Sequence, residues 1–167
     1  MRQLIPMTLV ALMFVGTAHA QTTYHIGVGD ARQYAGLGLS LERVTDQDKI
    51  TLGAGLVHSH RVVGELWGAA LMYHRFDLIA ADTGRHALGV GIAPVASRWS
   101  YRFRIQPGQP TEYETQYHHA VYGGVLAYNY HPRGAALGGF HVGASYGYGR
   151  RDGASSSNIH ISVGYRF

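Results

Sequence analysis

Two stretches of the chain bring a histidine and a serine close together, and these residue types carry nucleophilic acyl-transfer chemistry. His160 and Ser162 share one face of a predicted strand, whereas residues 58–60 (His-Ser-His) lie in a predicted loop before Glu65. A serine nucleophile needs a histidine base and an acid that orients this base. No acid follows His160 in the remaining residues. Both stretches are therefore predicted to be ordinary polar positions, and no catalytic residue is assigned.

Ionisable side chains also recur at one depth of the predicted strands, on the face that carries small residues. They are His25, Glu42, His74, His141 and Arg166. A metal site, a proton relay or a gate would use such a cluster, and a polar plug whose buried charges pair would also explain it. The plug is the preferred interpretation. Because the histidines are dispersed around the predicted ring, no metal and no other cofactor is predicted.

Four arginines near the opposite ends of the strands form a third group. A guanidinium group binds phosphate through two parallel hydrogen bonds, so such residues suit the phosphates of lipopolysaccharide. We therefore predict a phosphate-binding rim at Arg98, Arg102, Arg150 and Arg151.

The first twenty residues are predicted to be an export signal and not part of the fold. Arg2 supplies the positive start, residues 4–16 are apolar but too short to span a bilayer, and Ala18 and Ala20 form an A-x-A cleavage site. Cleavage after Ala20 is expected to leave residues 21–167 as a single domain.

The composition narrows the class of protein. Charged residues make up only 14% of the 167-residue chain, while Gly (23 residues) and Tyr (12 residues) are abundant. The absence of cysteine excludes thiol catalysis and thiolate metal sites. The 14 basic residues nearly balance 10 acids and do not cluster, so nucleic-acid binding is not expected.

Strict alternation of apolar with small or polar residues runs through the rest of the chain. In the last segment Ile159, Ile161 and Val163 alternate with His160 and Ser162, and seven earlier segments repeat this pattern. A face of Gly, Ser, His and Asn cannot form a hydrophobic core, so the apolar face is expected to meet lipid. The pattern predicts an all-β fold: a closed antiparallel eight-stranded transmembrane β-barrel with an up-and-down meander.

These residues resemble the small outer-membrane barrels of the OmpX-like and OmpA-transmembrane type. Residues 163–167, which end on Phe167, resemble the signal read by the barrel-assembly machinery, although Ser162 replaces a glycine often found there. The resemblance implies an outer-membrane location, contact with outer-membrane lipids, and a role as adhesin, envelope stabiliser, small pore or lipid-modifying enzyme. The spacing of His160 and Ser162 is similar to that of lipid A deacylases, but Val163 replaces their usual Asn.

The fifth and sixth strands are predicted to extend as an outer hairpin around residues 95–120. With Gly108 at its centre, Arg104 faces Glu112 and Arg102 faces Glu114. Pro94 is a possible bulge that would reset the phase of the strand. One face of this hairpin is predicted to be aromatic and consists of Trp99, Phe103, Tyr113 and Tyr117. The preferred interpretation is an aromatic mini-core that holds the hairpin together, and the alternative is a lid over the lumen or a partner-binding patch.

Glycines dominate the inward face above the ionisable layer, for example Gly53 and Gly91. Their lack of side chains predicts a cavity, unless the barrel flattens or holds water. The leading hypothesis is a non-enzymatic envelope protein with a structural or surface-interaction role. Binding or transport of a small apolar molecule in the lumen is the first alternative, and a lipid A-modifying enzyme is the second.

Overall fold

The computed structural model describes residues 22–61, 64–79, 84–104 and 112–167, with the backbone alone at 99–104 and 112–117. Eight antiparallel strands form a closed barrel in which each strand pairs with its sequence neighbours and β1 pairs with β8. The predicted fold class is thus confirmed. The strands are β1 (Thr23–Ala31), β2 (Gly36–Val44), β3 (Asp48–His60), β4 (Gly64–Arg75), β5 (His86–Arg104), β6 (Glu112–Tyr130), β7 (Gly139–Arg151) and β8 (Ala154–Arg166).

The barrel wall has the two faces that the alternation predicts. In β8 the side chains of Ile159 and Ile161 are 77% and 81% exposed on the outside. Ser162 and Arg166, which point inward, are 4% and 1% exposed. At this strand the outside of the barrel is therefore apolar and the inside is polar.

The barrel has two ends. The terminal end carries residue 22 and Phe167, together with the connections from β2 to β3, from β4 to β5 and from β6 to β7. The far end carries the other connections. At the far end, Arg32–Tyr34 between β1 and β2 forms a short 3₁₀ turn. Among the described residues, no helix is long and apolar enough to cross a membrane.

The ribbon formed by β5 and β6 extends beyond the other strands, but its predicted register is only partly correct. Arg104 pairs with Glu112, and Phe103 pairs with Tyr113, as expected. A bulge at this point leaves one extra residue in β6, so Arg102 pairs with Thr115 and not with Glu114. The same shift pairs Trp99 with His118 and Arg98 with His119. The side chains of the aromatic face, and the turn at Gly108, lie outside the described part of the chain.

A second bulge, at Val95, bends β5 into the lumen. The register with β6 shifts between Pro94 and Ala96, and three successive residues, 93–95, are buried where the alternation requires a change of face. A Cβ atom on Gly147 or Gly149 of β7 would lie 2.6 or 2.7 Å from the Val95 methyl groups. Strand β5 therefore reaches past β6 to the inner face of β7, and the possible bulge at Pro94 is confirmed.

The far half of the lumen contains an apolar cluster on the side of β4, β5 and β6. The bulge supplies Ala93 and Val95, and the loop between β1 and β2 supplies Ala35. These residues pack against side chains of β4 and β6, so the interior of the barrel changes from ionic at the terminal end to apolar toward the far end. The buried members of the cluster are Ala35, Ala70, Met72, Ala93, Val95, Val121 and Val125.

Candidate functional site

Three charged side chains meet inside the terminal end of the barrel. Glu42 of β2 lies 3.3 Å from Arg166 of β8 and 3.4 Å from Lys49 of β3, and all three side chains are fully buried. Because each residue occupies an inward position of its strand, the closure of the barrel brings them together. One carboxylate thus pairs with two cations away from water, and removal of any partner leaves a buried charge with fewer partners.

The turn at 131–138 closes the terminal end over this ionic cluster. Arg166 donates hydrogen bonds to the carbonyl oxygens of Ala135 (2.6 Å) and Leu137 (2.5 Å). His131, the first residue of the turn, is 2% exposed. Its pKa is lowered well below the ordinary value by burial and then by the charges of Lys49 and Arg166. His131 is consequently neutral. The turn covers the terminal end of the ionic cluster, to which the hydrogen bonds from Arg166 attach it.

A network of neutral polar groups lies above the ionic cluster. The amide of Asn129 lies 3.1 Å from His74 and 3.4 Å from the Gln33 side-chain oxygen. The Gln33 amide lies 2.9 Å from Nε2 of His141, and the hydroxyl of Tyr34 lies 3.2 Å from the same atom. These bonds tie the 3₁₀ turn Arg32–Tyr34 to strands β4, β6 and β7.

This 3₁₀ turn fills the space that the inward glycines leave, and we refer to Arg32–Tyr34 as the plug turn. Gln33 and Tyr34 are 3% and 0% exposed. A Cβ on Gly53 would lie 1.9 Å from the Gln33 carbonyl oxygen, and one on Gly29 would lie 2.7 Å from the Tyr34 ring. At these positions glycine allows the close approach of another segment. The cavity predicted from the glycines is therefore wrong there, because the loop between β1 and β2 folds inward.

The predicted cluster is largely assembled, with one residue outside it. Glu42, His74, His141 and Arg166 are buried together in the lumen. His25 instead lies at the terminal rim, where its Nδ1 is 2.7 Å from the carbonyl oxygen of Phe167. It is therefore a neighbour of the chain terminus and not a member of the buried cluster.

Sequence reasoning missed Lys49 and the plug turn. Lys49 is two residues from the inward Thr51, so the period of β3 would have placed it on the inward face. No comparable signal marks Gln33 and Tyr34, because they belong to a connection and not to an alternating strand.

A cavity of about 440 Å³ opens at the far end, and we call it the vestibule. Arg32 of the plug turn reaches Asn158 (2.7 Å) and the carbonyl oxygen of Pro94 (2.6 Å), which fixes the plug turn to β8 and β5. His160 lies 3.2 Å from Asp30 of β1. No acid follows His160 in the sequence, but the closure of the barrel places Asp30, from the other end of the chain, beside it.

The H-x-S pair is nevertheless not assembled as a nucleophile and its base. Ser162 is 4% exposed, and its hydroxyl donates a 3.5 Å hydrogen bond to Asn129. His160 is directed toward Asp30 and the vestibule. Within the described ranges, no group of three or more His, Asp or Glu residues could hold a metal ion.

The arginines predicted to form the rim differ in their surroundings. Arg98 extends across the mouth and donates to the carbonyl oxygens of Arg151 and Ser155. It therefore links β5 to the hairpin of β7 and β8, and its predicted contact with lipopolysaccharide phosphates stays a prediction. Arg151 donates to the carbonyl oxygen of Ala120, whereas Arg150 is exposed. The side chain of Arg102 lies outside the described part of the chain.

The fold and the lumen define the class of this protein: a closed, eight-stranded, antiparallel up-and-down β-barrel with an ionic interior and an apolar outside. No protein family, curated protein or solved structure gives a significant match to the chain.

Proposed function

We propose that residues 1–20 are a cleaved export signal and that residues 21–167 form an outer-membrane barrel with a structural or surface-interaction role in the cell envelope. The observation that carries this proposal is the apolar outer wall, on which Ile159, Ile161 and Trp67 are 77%, 81% and 63% exposed. A belt of this kind destabilises a protein in water but matches hydrocarbon. The closed strand order also pairs every strand on both sides over at least part of its length, which limits the number of backbone groups left without a partner in lipid.

The orientation follows from the location. The terminal end faces the periplasm, and the residues ending at Phe167 engage the barrel-assembly machinery. The far end, with the ribbon of β5 and β6, faces outward. No nucleic acid takes part.

The far-end rim contacts lipopolysaccharide phosphates, and Arg150 is the best-placed residue because its side chain is exposed. Replacement Arg150→Gln is expected to weaken binding to lipopolysaccharide vesicles about fivefold at low salt, the effect of one cation near an anionic surface. Arg133→Gln is the matched control, because Arg133 is exposed at the terminal end. Equal binding by both variants would contradict the assignment of the rim.

The role is non-enzymatic in this proposal, and the buried hydroxyl of Ser162, bonded to Asn129, supports it. Mass spectrometry of lipid A from cells that overproduce the protein is expected to give the unmodified mass. A deacylated species that disappears in the Ser162→Ala variant would establish the enzymatic alternative instead.

The location is tested by membrane fractionation combined with intact-mass measurement. The expected result is a chain of residues 21–167 in the outer-membrane fraction, with the shift in electrophoretic mobility on heating that folded barrels show. A soluble periplasmic chain, or one that retains residues 1–20, would overturn the proposal.

A further inference from the structure

The wall of the barrel is interrupted between β4 and β5. Their ladder runs only from Arg75 paired with Leu88 to Leu71 paired with Ile92. Beyond it, residues 64–70 of β4 pair with β3 alone, and β5 pairs with β6 alone. This unpaired edge is roughly 23 Å long at the usual rise of a strand. The ladder ends at Ile92, and two positions further along β5 lies Pro94, which has no N–H to donate.

Strand β5 leaves the wall here by passing behind β4. Pro94 is buried, and a Cβ on Gly68 of β4 would lie 2.7 Å from its ring. Tyr122 of β6, the register partner of Pro94, reaches over it, and its hydroxyl accepts a 3.1 Å hydrogen bond from the Ala69 N–H. One tyrosine ring thus bridges the interruption from β6 to β4, where a continuous sheet would have ladder hydrogen bonds.

Both sides of the interruption are apolar. Inside lies the apolar cluster that contains Ala70 and Ala93. Outside, a groove of about 460 Å³ runs over β1 to β4 and ends at Ala69. The groove exists because Ala54 and Ala69, which are register partners, are small residues beside Leu39 and Leu52. The outer groove and the inner cluster thus meet the two faces of β4 at the neighbouring residues Ala69 and Ala70, and the Tyr122 ring spans the interruption beside them.

We infer that this interruption is a lateral portal for a single lipid acyl chain, and that the hydrogen bond from Ala69 to Tyr122 is its latch. The apolar lining of the groove suits a hydrocarbon chain and not a polar ligand. The bridge consists of one hydrogen bond, so opening breaks far less than the separation of two fully paired strands would. The inference rests on the proposed membrane location of the barrel.

The test uses the folded chain in phosphatidylcholine vesicles that contain phosphatidylcholine with a photoreactive diazirine at the end of one acyl chain. Adducts are located by peptide mass spectrometry. Tyr122→Phe keeps the ring and removes the latch, so labelling of the inward residues Val95 and Val121 is expected to rise roughly fivefold, as for the loss of one ordinary hydrogen bond. Amide exchange at Ala69 is expected to accelerate in the same variant.

Tyr146→Phe is the matched control, since Tyr146 is an outward tyrosine of β7 with 48% exposure, against 45% for Tyr122. It is expected to label as the unmodified protein does. If Val95 and Val121 are unlabelled in every variant while Leu52 and Ala54 on the outside are labelled, the portal is overturned and the membrane barrel stands. If the outer wall is also unlabelled, the membrane location fails and the portal fails with it.

Discussion

The carboxylate of Glu42 lies 3.3 Å from the guanidinium group of Arg166, although 124 residues separate them in the chain. The ion pair joins β2 to β8, with β1 between them, and Lys49 adds a second cation to the same carboxylate. The pairing therefore forms only when the barrel is closed, so it reports on the last step of assembly.

Replacement Glu42→Ala is expected to destabilise the folded barrel by about 3–5 kcal/mol, because two buried cations lose their partner. Urea unfolding in lipid vesicles, followed by tryptophan fluorescence, measures this change. Glu65→Ala is the matched control, since Glu65 is an exposed acid at the far end and its loss is expected to change stability by less than about 0.5 kcal/mol. Similar midpoints for the two variants would show that the ionic cluster is not structural.

The plug turn predicts a contrast between two glycines. Gly53→Ala places a methyl group 1.9 Å from the backbone oxygen of Gln33, whereas Gly124→Ala meets nothing within 4 Å. Overpacking is expected to make the first variant about 1–3 kcal/mol less stable, and the second is expected to be close to the unmodified protein. Equal unfolding midpoints in vesicles would place the Arg32–Tyr34 turn outside the lumen.

Removal of the Tyr34 side chain tests whether the plug turn closes a pore. Tyr34→Ala is expected to lower stability by about 3–5 kcal/mol through loss of a fully buried aromatic side chain. In planar bilayers the unmodified barrel is expected to be silent, and the variant is expected to show small conductance steps. Tyr24→Ala, which removes an exposed tyrosine at the terminal rim, is the control and is expected to remain silent. If the unmodified protein conducts as readily as the Tyr34→Ala variant, the plug turn does not close the lumen.

The strands could be predicted from the sequence because each one repeats a period of two, as Ile159, Ile161 and Val163 do in β8. The same period places Glu42 and Arg166 on the inward face of their strands, and the pairing of β1 with β8 then brings them into contact. The plug turn could not be predicted in this way, since a short connection has no period and its direction depends on the space inside the finished barrel. The inward glycines indicate that another segment packs closely against the wall, but they do not identify which segment it is.

The bend of β5 places Val95 against the inner face of β7, so it depends on complementary side chains on these two strands. Gly147→Ala places a methyl group 2.6 Å from Cγ1 of Val95, and a β-branched side chain has little freedom to move away. This variant is expected to lose about 1–3 kcal/mol, and the additional change Val95→Ala is expected to restore part of the loss. A double-mutant cycle on unfolding in vesicles is expected to give a coupling energy of about 0.5–3 kcal/mol. The cycle of Gly124→Ala with Val95→Ala is the control and is expected to be additive, because Gly124 has nothing within 4 Å of its Cβ position. Additive effects in both cycles would mean that Val95 of β5 does not pack against β7.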